Sequence, residues 1–277
     1  MSLFVCFSIL FALASTCDAF TGTTRRSWTL RAADTRAGLH LQKSSNGDYV
    51  QTLKTDLLRI AAKTNRGDLA TDAQIEAALD LVTQLESMNP TSSDEAEERN
   101  YSIEGTWDLI FTDAQLFQSS PVFLSIRELF GEDADKAKQV FQLHRAATNT
   151  GEIGVVQQII TSSQLTSKVH IRNGLIPGAP FSLRGEIIST ANLQLLDRYN
   201  MKLMIKETFV KNSNVPFGIG SMLAVASIPV GQLLKSITGK IPECNLSTFY
   251  LDNDLRITRN KDDNVFVYLR GENSEII

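Results

Sequence analysis

The spacing of apolar residues changes once along this chain, and the change restricts the fold more than any other feature. Between residues 48 and 90 the apolar positions recur every three to four residues, as on one face of a helix. From residue 103 onward they alternate with polar ones, as on a strand with one buried face. A helical segment followed by a long run of strands, with no return to helix–strand alternation, excludes a parallel α/β architecture. It leaves an antiparallel sheet with a small helical part before it.

The first helix is predicted over 48–64, on Val50, Leu53, Leu57 and Ile60, and Asn65-Arg66-Gly67 stops it. The second begins at Thr71-Asp72-Ala73-Gln74, a capping-box pattern. It presents Ile75, Leu79, Val82, Leu85 and Met88 as one stripe and ends at Asn89-Pro90. A polar, acidic link covers 91–100. Ten strand-like runs are then predicted: 103–112, 139–147, 153–161, 165–171, 181–189, 192–197, 201–210, 246–251, 254–259 and 264–270. Turn signals at Asn149-Thr150-Gly151, Asn173-Gly174, Asp197 to Asn200 and Asp252-Asn253 separate several of them. So many short alternating strands point to an antiparallel barrel. Residues 121–138 read as loop plus short helix. Residues 212–234 are 23 consecutive uncharged positions, long enough for a membrane span. They are broken by glycines and prolines between strands, so a buried connection or a lipid-contacting flap fits better.

Composition excludes several functions. With a net charge of −4 and a pI of about 5.5, the chain lacks the basic face of a general nucleic-acid binder. Its cysteines are Cys6, Cys17 and Cys244. If the first two leave with a leader, no intrachain disulfide or cysteine-based metal cluster can form, and Cys244 reads as a small core residue. The histidines, His40, His144 and His170, have no second His or Cys at ligand spacing, so no metal site is expected. No nucleophile elbow or P-loop occurs. Gly218-Ile219-Gly220 lacks the third glycine and the surrounding βαβ unit of a dinucleotide site. The acids Glu132, Asp133 and Asp135 fit the first turn of a helix. No catalytic residue and no cofactor are expected.

The N-terminus reads as an address. Leu3 to Ala14 is an apolar run too short to span a bilayer, and Cys17-Asp18-Ala19 supplies small residues before a cut at Phe20. From Phe20 to Ser45 there are five basic residues, eight Ser or Thr and one acid, the composition of a transit peptide. Residues 1–19 are therefore expected to be a signal peptide and 20–45 a transit peptide. Secretion with a basic linker is the alternative.

Two patterns carry a resemblance. Gly105-Thr106-Trp107 opens the first strand and resembles the lipocalin fingerprint, in which the Trp ring plugs the barrel base. Residues 248–269, TFYLDNDLRITRNKDDNVFVYL, resemble the closing signature of the plastid lipid-associated (fibrillin) family. Tyr250, Leu251, Asp252, Asp254, Leu255, Arg256, Ile257, Arg259, Asn264, Phe266 and Val267 agree with it. Asn260 and Asp263 stand where the family has glycine, and both tolerate left-handed turns. At the front, Asp56-Leu57-Leu58, Thr64 to Gly67 and Leu85 to Pro90 resemble that family's opening helical hairpin. The resemblance spans about 50–270 and is faint in 113–245.

The expectation is an α+β chain: a helical hairpin over 48–90, then a lipocalin-like antiparallel β-barrel over 101–270. The resemblance implies a plastid protein that binds or organises isoprenoid-type lipids, carotenoids or quinones, at plastoglobules or thylakoids. Its partners would be a hydrophobic lipid or pigment and a plastid membrane or lipid-particle surface, with no nucleic acid. A role in isoprenoid or quinone metabolism, a secreted lipocalin, and a scaffold for lipid particles with an outer apolar surface instead of an inner pocket are the alternatives. Ligand contact is expected from Trp107, Leu109 and Phe111, which alternation places on one face, and from Phe217, Met222 and Leu223 of the apolar segment. Gly105, Trp107, Tyr250, Asp252, Asp254, Arg256 and Arg259 are the structural signature. Within it, Trp107 is expected to lie beneath a basic side chain, Arg259 first and Arg256 second. Asp252 and Asp254 are expected to be structural.

Overall fold

The computed structural model describes residues 46–90, 102–130, 135, 137–139, 141–142, 151–173, 183–197, 199–212 and 228–271. Helices α1 (Asn46–Lys63) and α2 (Asp72–Ser87) come first. The capping box forms as expected: Thr71 Oγ1 accepts from the Gln74 amide, and the Gln74 side chain accepts from the Thr71 amide. Between the helices, Asn65, Arg66 and Gly67 all take positive φ. Gly67 is required there, because a Cβ would sit 2.1 Å from the Thr112 carbonyl oxygen. Its neighbour Arg66 accepts the Thr112 amide through its carbonyl and donates its guanidinium to the carbonyls of Ile153 and Gly154. The turn is thereby fixed to the sheet.

Eight antiparallel strands follow: β1 (Gly105–Thr112), β2 (Gly151–Ile160), β3 (Gln164–Asn173), β4 (Leu183–Leu195), β5 (Asn200–Lys211), β6 (Glu243–Leu251), β7 (Leu255–Arg259) and β8 (Val265–Arg270). Each pairs with its sequence neighbour and β8 returns to β1, so the sheet closes on itself. A 3₁₀ turn (Leu116–Ser119) and α3 (Pro121–Leu129) lie between β1 and β2, and α4 (Val230–Thr238) lies between β5 and β6. Helix α3 starts on Pro121, whose fixed φ suits the first helical position. It packs against β4, β5 and β6.

Two expected strands become one. Residues 181–189 and 192–197 fall largely in β4, because β3 and β5 hold hydrogen bonds along its whole length. The run 139–147 was expected as a strand, yet its described residues Gln139, Phe141 and Gln142 are helical. Ala137 and Phe141 lie four apart, a helical spacing, and both turn toward apolar neighbours. Ala137 is buried, and Phe141 stands edge-on to Phe117 and Phe123.

The ring separates two apolar cores. The inner one joins Trp107, Leu109, Val156, Ile160, Leu165, Val169, Leu203, Leu246, Phe266 and their neighbours to α3. The outer one joins Leu53, Leu57, Val82 and Leu85 of the helical hairpin to Phe111, Tyr250, Leu255, Ile257, Val265 and Val267. Strands β7 and β8 are therefore buried on both faces. Among the described residues no helix is long and apolar enough to cross a membrane.

Candidate functional site

At one end of the inner core, Trp107 is fully buried and its Nε1 donates to the Ile103 carbonyl at 2.8 Å. Two guanidinium groups lie over its ring, Arg270 at 4.2 Å and Arg256 at 5.1 Å from the centroid. Arg270 is tied down by bonds to the carbonyls of Ser102, Glu104 and Asn253. Gly105 explains the Gly-x-Trp spacing: its φ is +128°, and a Cβ there would lie 2.7 Å from Arg270 Nη1.

Arg256 enters the interior because it alternates with Leu255 and Ile257, which face the helices. It is 1% exposed. Its Nη2 donates to Gln158 Oε1 at 2.5 Å, and it stacks 4.4 Å from the Tyr268 ring centroid. Gln158 Nε2 in turn donates to the Tyr268 hydroxyl at 2.9 Å. Burial lowers the guanidinium pKa to about 10 and raises that of the Tyr268 hydroxyl above its ordinary range.

The expected partner for Trp107 needs correction. Arg259 does not reach that ring. It holds Glu86 of α2 through Nε and Nη2, both at 2.9 Å, and reaches Asp263 through Nη1. Strand alternation did place it with Leu255 and Ile257, but that apolar face lies under the helical hairpin and not inside the ring. Arg256, the second choice, is one of the two cations present.

Phe111 is corrected in the same way. A register shift between Leu109 and Phe111, where β1 carries one residue more than β8, reverses the faces beyond Leu109. Trp107 and Leu109 face inward, whereas Phe111 packs beneath α1 and α2. Phe217, Met222 and Leu223 lie outside the described residues, as do His40, His144, Glu132 and Asp133.

The remaining signature residues build the join between ring and hairpin. The Tyr250 hydroxyl donates to Asp252 at 2.6 Å, and Lys54 Nζ lies 2.5 Å from the same carboxylate. Asp252 Oδ1 also accepts the amides of Asp254 and Leu255, closing the turn. Burial alone would raise the Asp252 pKa. Lys54, the Tyr250 hydroxyl and the two amides outweigh it and hold the carboxyl below its ordinary value. Asp254 is exposed, 3.9 Å from Lys54. Asp263 takes φ 64°, and the Asn260 side chain accepts the amides of Asp262 and Asn264. These two residues thus make the hairpin turn in place of glycine.

Cys244 is buried, which pushes its thiol pKa up and away from reactivity. His170 faces outward, with Nδ1 3.7 Å from Glu186 beside an outer cleft of about 330 Å³. Among the described residues no cluster of His, Cys, Asp or Glu could hold a metal. Gln158, Tyr268 and Arg270 were not anticipated. Each lies at an inward position, but only the closure of the ring shows which positions face inward.

The arrangement defines an eight-stranded antiparallel ring with an apolar interior, a stacked Trp–Arg floor and a helical hairpin packed outside. The PAP_fibrillin family model matches residues 51–269, and the chain belongs to this family of plastid lipid-associated proteins. No curated protein and no solved structure matches the chain.

Proposed function

We propose that the chain is a lipocalin-like holder of a hydrophobic plastid lipid and not an enzyme. The observation that supports this best is the inner wall. Residues from all of β1 to β6 and β8 contribute apolar side chains to it, and Trp107 closes its base. A closed sheet of about eight strands is wide enough for side chains or one small ligand. The inward positions of the described strand residues include Arg256, Arg270, Gln158 and Tyr268 but no carboxylate–base pair suited to proton transfer. Isoprenoid-type lipids such as carotenoids and quinones fit this lining, and the family's plastid lipid association supports them.

Lipid extraction from protein purified from its native source, followed by mass spectrometry, tests the reading. Enrichment of isoprenoid lipids over bulk membrane lipid is expected. A lipid profile identical to that of the surrounding membrane removes the proposal.

Delivery to the plastid through residues 1–45, and residence at plastoglobules or thylakoids, belong to the same proposal and rest on sequence. A reporter fused to 1–45 is expected in the plastid interior, and its release into the medium would favour secretion. Lipid contact by Phe217, Met222 and Leu223 also rests on sequence. The pair Phe217→Asp and Leu223→Asp is expected to abolish liposome binding while leaving the fold intact.

A further inference from the structure

Among the described residues, the interior contains a cation without a counter-ion. Arg256 is fully buried, its electrostatic surroundings are Tyr268 and a second cation, Arg270, and its Nε and Nη1 have no hydrogen-bond partner. A buried charge is ordinarily compensated by an opposite charge and by hydrogen bonds to every donor. Here, among the described residues, one amide oxygen, on Gln158, and two aromatic faces supply the compensation. Other buried hydroxyls that face the same interior are also unpartnered. Thr258, two residues along β7 from Arg256, and Thr248, opposite it on β6, are both buried with unpartnered hydroxyls. So is Ser167, which pairs with Gln158 across β2 and β3. Unpartnered donors of this kind are rare in interiors, and several facing one interior mark a place where a polar group is received.

We propose that Arg256 is the anchor for the carboxylate of an amphiphilic lipid whose apolar chain lies along the inner core. This rests on the interior being a lipid holder and names the headgroup chemistry it selects. A carboxylate fits better than a neutral carbonyl for two reasons. It supplies the missing charge, and its two oxygens have lone pairs enough for both free guanidinium nitrogens. The buried hydroxyls of Thr248 and Thr258, paired across β6 and β7, are further unpartnered donors in the same interior. The apolar residues that flank Gln158 and Ser167 on their strands, Val156, Ile160, Leu165 and Val169, suit the hydrocarbon chain.

Calorimetric titration of the delipidated full chain with dodecanoate, its methyl ester and a neutral short-chain prenylquinone tests this. The acid is expected to bind at least about tenfold more tightly than the ester. Arg256→Met is expected to bind acid and ester equally, and Arg256→Lys to retain part of the preference. Equal affinity of the wild-type protein for acid and ester, or an undiminished preference in Arg256→Met, overturns the assignment. The wild-type acid-to-ester ratio decides the matter even where Arg256→Met fails to fold. If the quinone binds without any preference for the acid, the anchor falls and the lipid-holder reading stands. If none of the three binds, the lipid-holder reading falls, and the anchor with it.

Discussion

The guanidinium of Arg270 lies 4.2 Å from the centre of the Trp107 ring, and the missing side chain of Gly105 is what admits it. The Gly-x-Trp triplet thus supplies two residues of a three-residue device completed by Arg270, the last residue of β8. Gly105→Ala is expected to destabilise the protein by about 1–3 kcal/mol, because an L side chain is strained at φ +128° and displaces the guanidinium. Denaturant unfolding measures it. A midpoint unchanged from wild type would show that Arg270 moves aside without loss.

Trp107 itself is predicted to contribute more. Its ring is fully buried among apolar neighbours, with its one N–H satisfied. Trp107→Ala is expected to cost about 3–5 kcal/mol. Trp107→Phe keeps most of the buried area and is expected to cost less than Trp107→Ala in the same unfolding measurement. Equal losses in the two variants would mean that ring volume is not what matters there.

Reading the sequence succeeds where one period and one buried face coincide. The hairpin helices show a clean stripe because only Leu53, Leu57, Val82, Leu85 and their neighbours are covered. The turn at Asp252 is legible because a short acid bonding nearby amides is a local event. The reading fails where tertiary structure reverses a local rule. The extra residue between Leu109 and Phe111 turns Phe111 outward, and no composition marks it. Strands β7 and β8 are buried on both faces, so their more apolar face is not the interior one, and Arg259 is misassigned for that reason. Arg270 and Gln158 meet Trp107 and Arg256 only once the ring closes. Their sequence separation hides them.

The Arg259–Glu86 pair is predicted to hold the helical hairpin on the ring. Both side chains are mostly buried, and two parallel N–H···O bonds of 2.9 Å join them. Glu86 holds the Arg259 pKa above its ordinary value. A double-mutant cycle with Glu86→Ala and Arg259→Ala is expected to give a coupling energy of about 1–2 kcal/mol, above that of an exposed pair. Purely additive effects would show that apolar packing alone docks the helices. Replacing Arg259 by Lys is expected to recover only part of the coupling, since a single ammonium does not reproduce the fork.

The second tie between hairpin and ring is sensitive to pH. Lys54 of α1 is buried against Asp252, 2.5 Å from a carboxylate that also accepts the Tyr250 hydroxyl and two amides. The folded-state pKa of Asp252 lies below its ordinary value of 3.8. The unfolded chain therefore takes up the proton first as pH falls. The stabilisation is complete above the unfolded value, about 3.9, and is lost as pH drops through the depressed folded value. Asp252→Ala removes the nearer counter-ion of the buried Lys54 ammonium, leaving only the exposed Asp254 at 3.9 Å, and is expected to cost about 3–5 kcal/mol near neutrality. Asp252→Asn is expected to cost less, because the amide oxygen still accepts from the backbone. Its deficit relative to wild type is expected to shrink as pH falls below about 4, when the wild-type carboxylate is itself protonated. Unfolding curves for the two proteins between pH 2 and 7, compared at about one pH unit intervals, provide the check. A deficit that stays constant down to the lowest pH would mean that the ionised carboxylate is not the source of the stability. A well-folded Asp252→Asn protein of wild-type stability that no longer binds lipid would move Asp252 from the framework to the ligand site.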